Sequence, residues 1–288
     1  MSSPACPRPL PRQRLAQRRY ADCHMHTVLC GHAEHSIEEM VSTLEESSLK
    51  GGIITEHLPL PKHVDSDRVV SMHRCELPSY VSTLQVLRDR SPLGENLVIG
   101  AEADWRDVDP QWTVRSVESA RAAGVEVVLG SVHMLGNWAF DDPGRIDVWD
   151  SKNVDAVWEQ YFTEWGRAAA SGLFDVMAHP DLVKKFGHLP KDPGIYYAEA
   201  ARLAAESGVL CEVSTAGLRK PCAELYPSPL FLKELARRGV NFTLASDAHD
   251  KADIGYRFDL SAQALLSVGV TRQAFPKAAG RIDYLPLA

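Results

Sequence analysis

Residues 20–26 read Tyr20-Ala21-Asp22-Cys23-His24-Met25-His26, a short run suited to a strand that closes on two histidines two positions apart. At the end of a strand, His24 and His26 point to one face with Cβ atoms roughly 6.5–7 Å apart, close enough for two imidazoles to converge on one cation. His32 and His35 follow, so four of the eleven histidines fall within residues 21–35. His-x-His also occurs on ordinary surfaces. Whether this one is a metal site or a solvated cluster depends on what the rest of the chain repeats.

The same arrangement recurs. Short Val- and Ile-rich runs alternate with segments of helical character, the pattern of successive βα units. Strands are expected at 20–24, 52–55, 97–101, 125–132, 174–178, 209–213 and 242–246, and helices at 36–49, 78–90, 111–123, 155–171, 194–207 and 229–238. The helix at 36–49 opens on Ser36 with Glu39 three residues later, a capping box, and is expected to stop before Gly51-Gly52. Each expected strand ends in a potential ligand: His24 and His26, then Glu56-His57, Glu102, His133, His179, Glu212, and Asp247 with His249. A polar rim accounts for one such residue. Seven of seven, five of them with histidine, point instead to one shared site. Alternating βα units can close into a barrel or open into a doubly wound sheet, and only a barrel gathers function from the carboxyl ends of all its strands.

The totals agree. A chain of 288 residues, 45% of them hydrophobic, can bury a large core as one barrel. Residues 1–19 carry five arginines, four prolines and no acidic residue, and are expected to be a disordered basic tail ahead of a single domain at 20–288. The formal charge of −7 then leaves −12 on that domain, which argues against nucleic acid as its partner. Six cysteines without a Cys-x-x-Cys pair, and no long apolar run, suit a reducing, cytoplasmic, soluble protein with no membrane partner. Oligomeric state is not readable from the sequence.

Imidazole and carboxylate donors without cysteine-rich spacing suit Zn, Mn or Fe. So many candidate ligands exceed the coordination number of a single ion, so more than one divalent ion is expected. Clustered divalent ions activate water and clamp both oxygens of an in-line displacement, chemistry that suits the resistant phosphate monoester.

Four motifs in order, Asp22-Cys-His24-Met-His26, Thr55-Glu-His57, Ser131-Val-His133 and Ser246-Asp247-Ala-His249, resemble those of the PHP superfamily of metal-dependent phosphoesterases. The segments 130–141, 174–187 and 214–221 resemble its histidinol-phosphatase branch, and the similarity runs from about residue 20 to residue 258. The resemblance implies an α/β fold, a distorted seven-stranded (β/α)7 TIM-like barrel, with three divalent metal ions at its carboxyl-terminal face. Carried over by motif, one ion would take His24, His26, Glu102 and Asp247; a second would share Glu102 and add His133 and His179; a third would take His32, His57 and His249. Arg219, Asp247 and His249 would stand at the reacting centre. Arg219 would also bind the phosphate, with Lys184 or Lys185 as a second cation and Glu212 either holding a substrate ammonium or supporting a ligand. Asp22 would orient a ligand imidazole. His63, His73 and His188 match no ligand motif.

The implied activity is hydrolysis of L-histidinol phosphate to L-histidinol and phosphate, a step of histidine biosynthesis. A phosphatase for another small phosphate ester, such as a nucleotide or sugar phosphate, is the alternative of the same chemistry. A metal-dependent binding or regulatory barrel is the non-enzyme alternative.

Overall fold

The computed structural model describes residues 18–67 and 69–288. Seven strands form one parallel sheet in the order β1 (Arg19–Asp22), β2 (Leu49–His57), β3 (Leu97–Asp104), β4 (Val127–Ser131), β7 (Val176–Met177), β8 (Leu210–Ser214) and β9 (Phe242–Ala245). The two outer strands meet. Cys23 N donates to Leu244 O (2.9 Å), His26 N to Ala248 O (2.9 Å) and Ala248 N to His24 O (3.3 Å), which closes the sheet into a barrel. All seven expected strands are present.

Helices α1 (Ile37–Glu46), α2 (Leu77–Arg90), α3 (Pro110–Ala123), α4 (Val154–Ala170), α5 (Tyr197–Ser207), α6 (Pro229–Arg237) and α7 (Phe258–Ser267) surround it. In α1 the capping box forms as expected, and Ile37, Met40, Val41 and Leu44 make a buried stripe at helical spacing. Helix α3 begins with Asp109 accepting from Trp112 N and Pro110 at its first position, then stops at Gly124, whose φ of 106° suits glycine.

Three expectations change. Helix α1 ends at Glu46 rather than residue 49, and Leu49 already belongs to β2. Gly51 and Gly52 therefore do not stop a helix. A Cβ at Gly51 would lie 2.3 Å from Asn96 O and one at Gly52 would lie 2.8 Å from Asp22 O, so both serve close approach between neighbouring strands. The expected basic tail lies outside the described residues as far as residue 17, but Arg18 donates to Leu49 O (3.3 Å) and Arg19 opens β1. Finally, α7 and two hairpins, β5 (Met134–Leu135) with β6 (Trp138–Ala139) and β10 (Arg272–Pro276) with β11 (Ile282–Pro286), were not expected. Two-residue strands are too short to show a period, and the second hairpin lies beyond the stretch where strands end in ligands.

Two apolar cores result. The larger packs the helices on the outside of the sheet, around Trp158, Trp165, Phe231 and Leu44. The smaller fills the barrel with Ala21, Cys23, Ile53, Val98, Val127, Leu129, Val176, Ala178 and Leu210, and β10 adds Ala274 and Phe275 to it. On β3 and β4 the filling and the site above share the inward face at different heights along the strand: Val98, Glu102 and Asp104 are of one parity, as are Val127, Leu129, Ser131 and His133.

Candidate metal centre

At the carboxyl ends of the strands six imidazoles meet in three pairs, Nε2 to Nε2. His24 and His26 lie 2.9 Å apart, His133 and His179 3.2 Å, and His32 and His249 2.9 Å. Glu102 stands among them. Its Oε2 is 3.1 Å from His24 Nε2, 3.3 Å from His26 Nε2 and 3.1 Å from His57 Nδ1, while Oε1 is 3.0 Å from His179 Nε2. Asp247 Oδ1 closes the group from the last strand, 3.4 Å from His26 Nε2 and 3.7 Å from His24 Nε2. Donor atoms cluster within 4.8 Å of one another in His24–His26–Asp247, Glu102–His133–His179 and His32–His57–His249, among other groupings.

The chain holds these groups in place from behind. His24 Nδ1 faces Glu212 Oε1 at 2.8 Å, and His133 Nδ1 faces Asp104 Oδ1 at 2.9 Å. Glu56 Oε1 lies 3.5 Å from His26 Nδ1, and its oxygens also accept from Thr27 N and His57 N. His32 and His249 instead turn Nδ1 to backbone carbonyls, Cys30 O and Asp247 O, each at 3.2 Å. Ser131 Oγ donates to Glu102. His179 and Asp247 adopt φ of 25° and 51°, a region costing non-glycine residues on the order of 1–3 kcal/mol. That cost is accepted where two strand ends turn a side chain into the centre.

These residues fit divalent cations. An imidazole whose Nδ1–H is given to a carboxylate or carbonyl leaves a lone pair on Nε2. In the His32–His249 pair both Nδ1 atoms face carbonyls, so two lone pairs confront each other at 2.9 Å, an arrangement that repels unless a cation lies between them. Nitrogen and oxygen donors without a thiolate suit Zn, Mn or Fe.

The charges in the cluster are strongly coupled. Burial opposes ionisation of Glu102, yet His57 and His24 hold its carboxyl well below the usual range. Asp247 is likewise held low, chiefly by His24 and His26 against burial. Burial lowers His133, but Asp104 overrides it and carries the imidazole up to about 10. His249 goes the other way: burial, then the charge of His26, pushes it down to about 3.

All nine expected metal ligands are thus brought together, and the other expected site residues divide. Arg219 Nη2 donates to Ser246 O (2.8 Å) and Asp247 O (3.3 Å), its Nε pairs with Asp253 Oδ2 (3.2 Å), and the Tyr256 ring lies 5.2 Å from the guanidinium. Its Nη1 is buried with no partner among the described residues. Lys185 Nζ donates to Asp141 O (2.6 Å) and Oδ2 (3.0 Å), and Asp141 is itself held below the usual range, with burial opposing and Lys185 and His133 prevailing. Lys184 points elsewhere. Its buried Nζ is used by Glu224 (2.6 Å), Leu225 O (2.7 Å) and Asp181 (3.3 Å), so it ties two loops together. Glu212 is fully buried with one oxygen on His24 and the other accepting from His179 N (2.8 Å), contacts of the supporting kind.

Asp22 touches no imidazole. It accepts from the backbone N of His24 (3.3 Å), Ser246 (3.0 Å) and Gly255 (2.8 Å), pinning the first strand to the last. His35 pairs with Asp250 (3.3 Å) beside the cluster, His188 stacks on Trp149, and His63 and His73 are exposed. The supports Glu56 and Asp104 were not assigned from the sequence. Their signal is adjacency, Glu56 beside His57 and Asp104 at the parity of Glu102, but acidic neighbours of ligands are too common to select them.

A family profile described as PHP domain matches residues 22–216. The chain is 35% identical over 251 residues to a Deinococcus radiodurans protein named probable histidinol-phosphatase, covering 86% of this chain and 93% of that one. A Listeria monocytogenes structure described as a histidinol phosphatase candidate superposes with a TM-score of 0.73 at 21% identity, over 83% of this chain and 99% of the other. The structure of a histidinol phosphate phosphatase from Lactococcus lactis subsp. lactis Il1403, complexed with zinc, L-histidinol and phosphate, superposes with a TM-score of 0.69 at 19% identity, over 92% of this chain and 99% of the other.

Proposed function

Since the chain belongs to the PHP-domain family, we propose that it is a metal-dependent phosphomonoesterase that hydrolyses L-histidinol phosphate to L-histidinol and inorganic phosphate, using three divalent ions. The observation that carries this reading is the triple set of facing Nε2 pairs gathered round Glu102 and Asp247 at the barrel mouth, with the unpartnered Arg219 Nη1 beside them. The relatives' names supply the substrate, and the zinc, L-histidinol and phosphate in the Lactococcus structure support both substrate and metal.

His24, His26, Glu102 and Asp247 would hold one ion, Glu102, His133 and His179 a second, and His32, His57 and His249 the third. Bound divalent ions supply Lewis acidity to phosphoryl oxygens and lower the pKa of water. The chain's own residues do the remainder. Glu212 and Asp104 face Nδ1 of His24 and His133, so Nε2 is the nitrogen each ring turns to the centre, where a bound cation would take the place of its proton. Arg219 is held by Asp253, Tyr256 and two carbonyls, so its guanidinium is already fixed before a phosphoryl oxygen arrives. A donor held this way loses little on binding and stabilises charge that builds on phosphorus oxygens during in-line displacement. Lys185, beside Asp141, offers a second cation. Asp247 and His249 stand where the last strand opens to solvent, next to the reacting centre.

The test is phosphate release from a panel of monoesters by metal-loaded enzyme. Histidinol phosphate should be turned over far faster than nucleotide or sugar phosphates. In Arg219→Ala, kcat/KM should fall by about 10²–10³-fold at unchanged metal content. Turnover of nucleotides alone would remove the substrate assignment, and no turnover of any ester by fully loaded protein would remove the enzyme.

A further inference from the structure

The three clusters are unequal, and from that inequality we infer that the outermost position, His32–His57–His249, holds its ion loosely and fills together with phosphate. The inference rests on the metal-site reading above and goes beyond it in assigning an order of loading and a linkage to ligand.

The inner positions carry both carboxylates, Glu102 and Asp247. Three of their four imidazoles are deeply buried, with His24 and His26 at 0% exposure and His179 at 3%, and the His133 side chain is 18% exposed. Carboxylates stand behind them as well, Glu212 on His24, Asp104 on His133 and Glu56 near His26. Such partners raise ligand basicity and typically alter metal affinity by about 10–100-fold when removed.

The outer position has three neutral imidazoles. His32 is exposed and the His249 side chain is 29% exposed. Both turn Nδ1 to a neutral carbonyl rather than to an anion. The carboxylates the triad reaches are ones the inner positions already share: His57 Nδ1 lies 3.1 Å from Glu102 Oε2, and His249 Nδ1 lies 3.6 Å from Asp247 Oδ1. An ion entering there meets two other divalent ions across a few ångströms with no anionic donor of its own, so Coulomb repulsion weakens it in a site partly open to water. A phosphate dianion reverses that balance. It adds negative charge where the excess positive charge lies, and linkage requires that if phosphate tightens the third ion, the third ion tightens phosphate by the same factor. The substrate's phosphoryl group would thereby recruit the ion that completes the site.

The experiment is equilibrium dialysis of the full-length protein against a series of buffered free Mn(II) concentrations, with bound metal counted by mass spectrometry, with and without inorganic phosphate at constant ionic strength. The expected result is two ions retained at free-metal levels where the third is lost. Phosphate should lower the midpoint of the third step by about 5–150-fold and leave the first two unchanged. His32→Ala, a change at an exposed side chain, should bind two ions with or without phosphate. Loss of all three ions in one step, a third midpoint unmoved by phosphate, or a phosphate-dependent third ion surviving in His32→Ala would each overturn the inference. Three equivalent ions in a protein that hydrolyses histidinol phosphate would overturn this inference alone. A phosphate-linked third ion in a protein that hydrolyses no ester would uphold it and remove the phosphatase reading.

Discussion

The two ends of the barrel are built from the same strands and are opposites. At the carboxyl end, His24, His57, Glu102, His133, His179, Glu212 and Asp247 crowd charge and lone pairs into a small volume, and two of them sit at positive φ. At the amino end the interior is apolar. Ala21, Ile53, Val98, Val127 and Leu210 pack against Ala274 and Phe275 of the β10–β11 hairpin, while Gln273 satisfies both backbone groups of Ala21 (3.0 and 2.6 Å). One end concentrates unfavourable electrostatics that bound cations relieve; the other supplies the apolar burial and paired hydrogen bonds that let the fold tolerate this. Changes at the mouth should therefore be read mainly in metal content and turnover, and changes at the floor in stability.

The largest effect should come from Glu102→Gln. Its carboxylate reaches His24, His26, His57 and His179, so losing its charge weakens two positions at once. Metal content should drop below three ions per chain, and phosphate release should fall by at least about 10²–10³-fold, while the unfolding free energy of the metal-free protein moves less than in the floor variant below. A Glu102→Gln protein that unfolds at once, with or without metal, would show that the mouth is also structural and would break the division.

The floor variant is Phe275→Ala. Phe275 is fully buried inside the barrel, and truncating such a side chain costs about 3–5 kcal/mol from lost burial and the cavity left behind. Chemical denaturation should show that loss, with metal stoichiometry and KM near wild type at a temperature where the variant is folded. Lost metal at full folding would mean that the hairpin positions the site as well as closing the barrel.

How much of this could be read in the sequence also differs between the two ends. The mouth is legible because histidine is rare and its chemistry narrow: seven runs each ending in a potential ligand give the barrel and the cluster at its mouth. Which of Lys184 and Lys185 faces the site is not readable, because the backbone turns after His179 at positive φ and a period of two no longer holds. The support from Glu56 and Asp104 was hidden for a related reason, since a carboxylate behind a ligand looks in sequence like any acidic neighbour. The floor is illegible for want of special chemistry. Arg272-Gln273-Ala274-Phe275-Pro276 has no strict alternation and ends in proline, yet four of its residues are buried, because the surface that covers them comes from residues some 250 positions earlier while its ladder partner β11 follows directly.

The smallest effect distinguishes the ends by pH. Lys277, just past β10, buries its ammonium over the Phe275 ring at 3.8 Å and donates to Glu95 O (3.0 Å) and Asn96 Oδ1 (2.7 Å). Burial lowers it from its ordinary 10.5 to about 8, with Asp283 and Glu95 opposing. The folded chain then gives up this proton more readily than the unfolded chain does. Between about pH 8 and pH 10.5 the unfolded state binds more protons, so the Lys277 contribution to stability rises with pH across that window. After discounting for partial solvent screening, the rise is on the order of 1–2 kcal/mol. Lys277→Met removes it. The difference in unfolding free energy between wild type and variant, followed by urea titration, should slope upward across the window. The hydrogen bonds lost in the variant shift that difference by a constant and cannot produce a slope. A flat difference would mean that the ammonium is well solvated and the floor wetter than its packing implies, which would undo the contrast between the two ends at the one charged group that tests it.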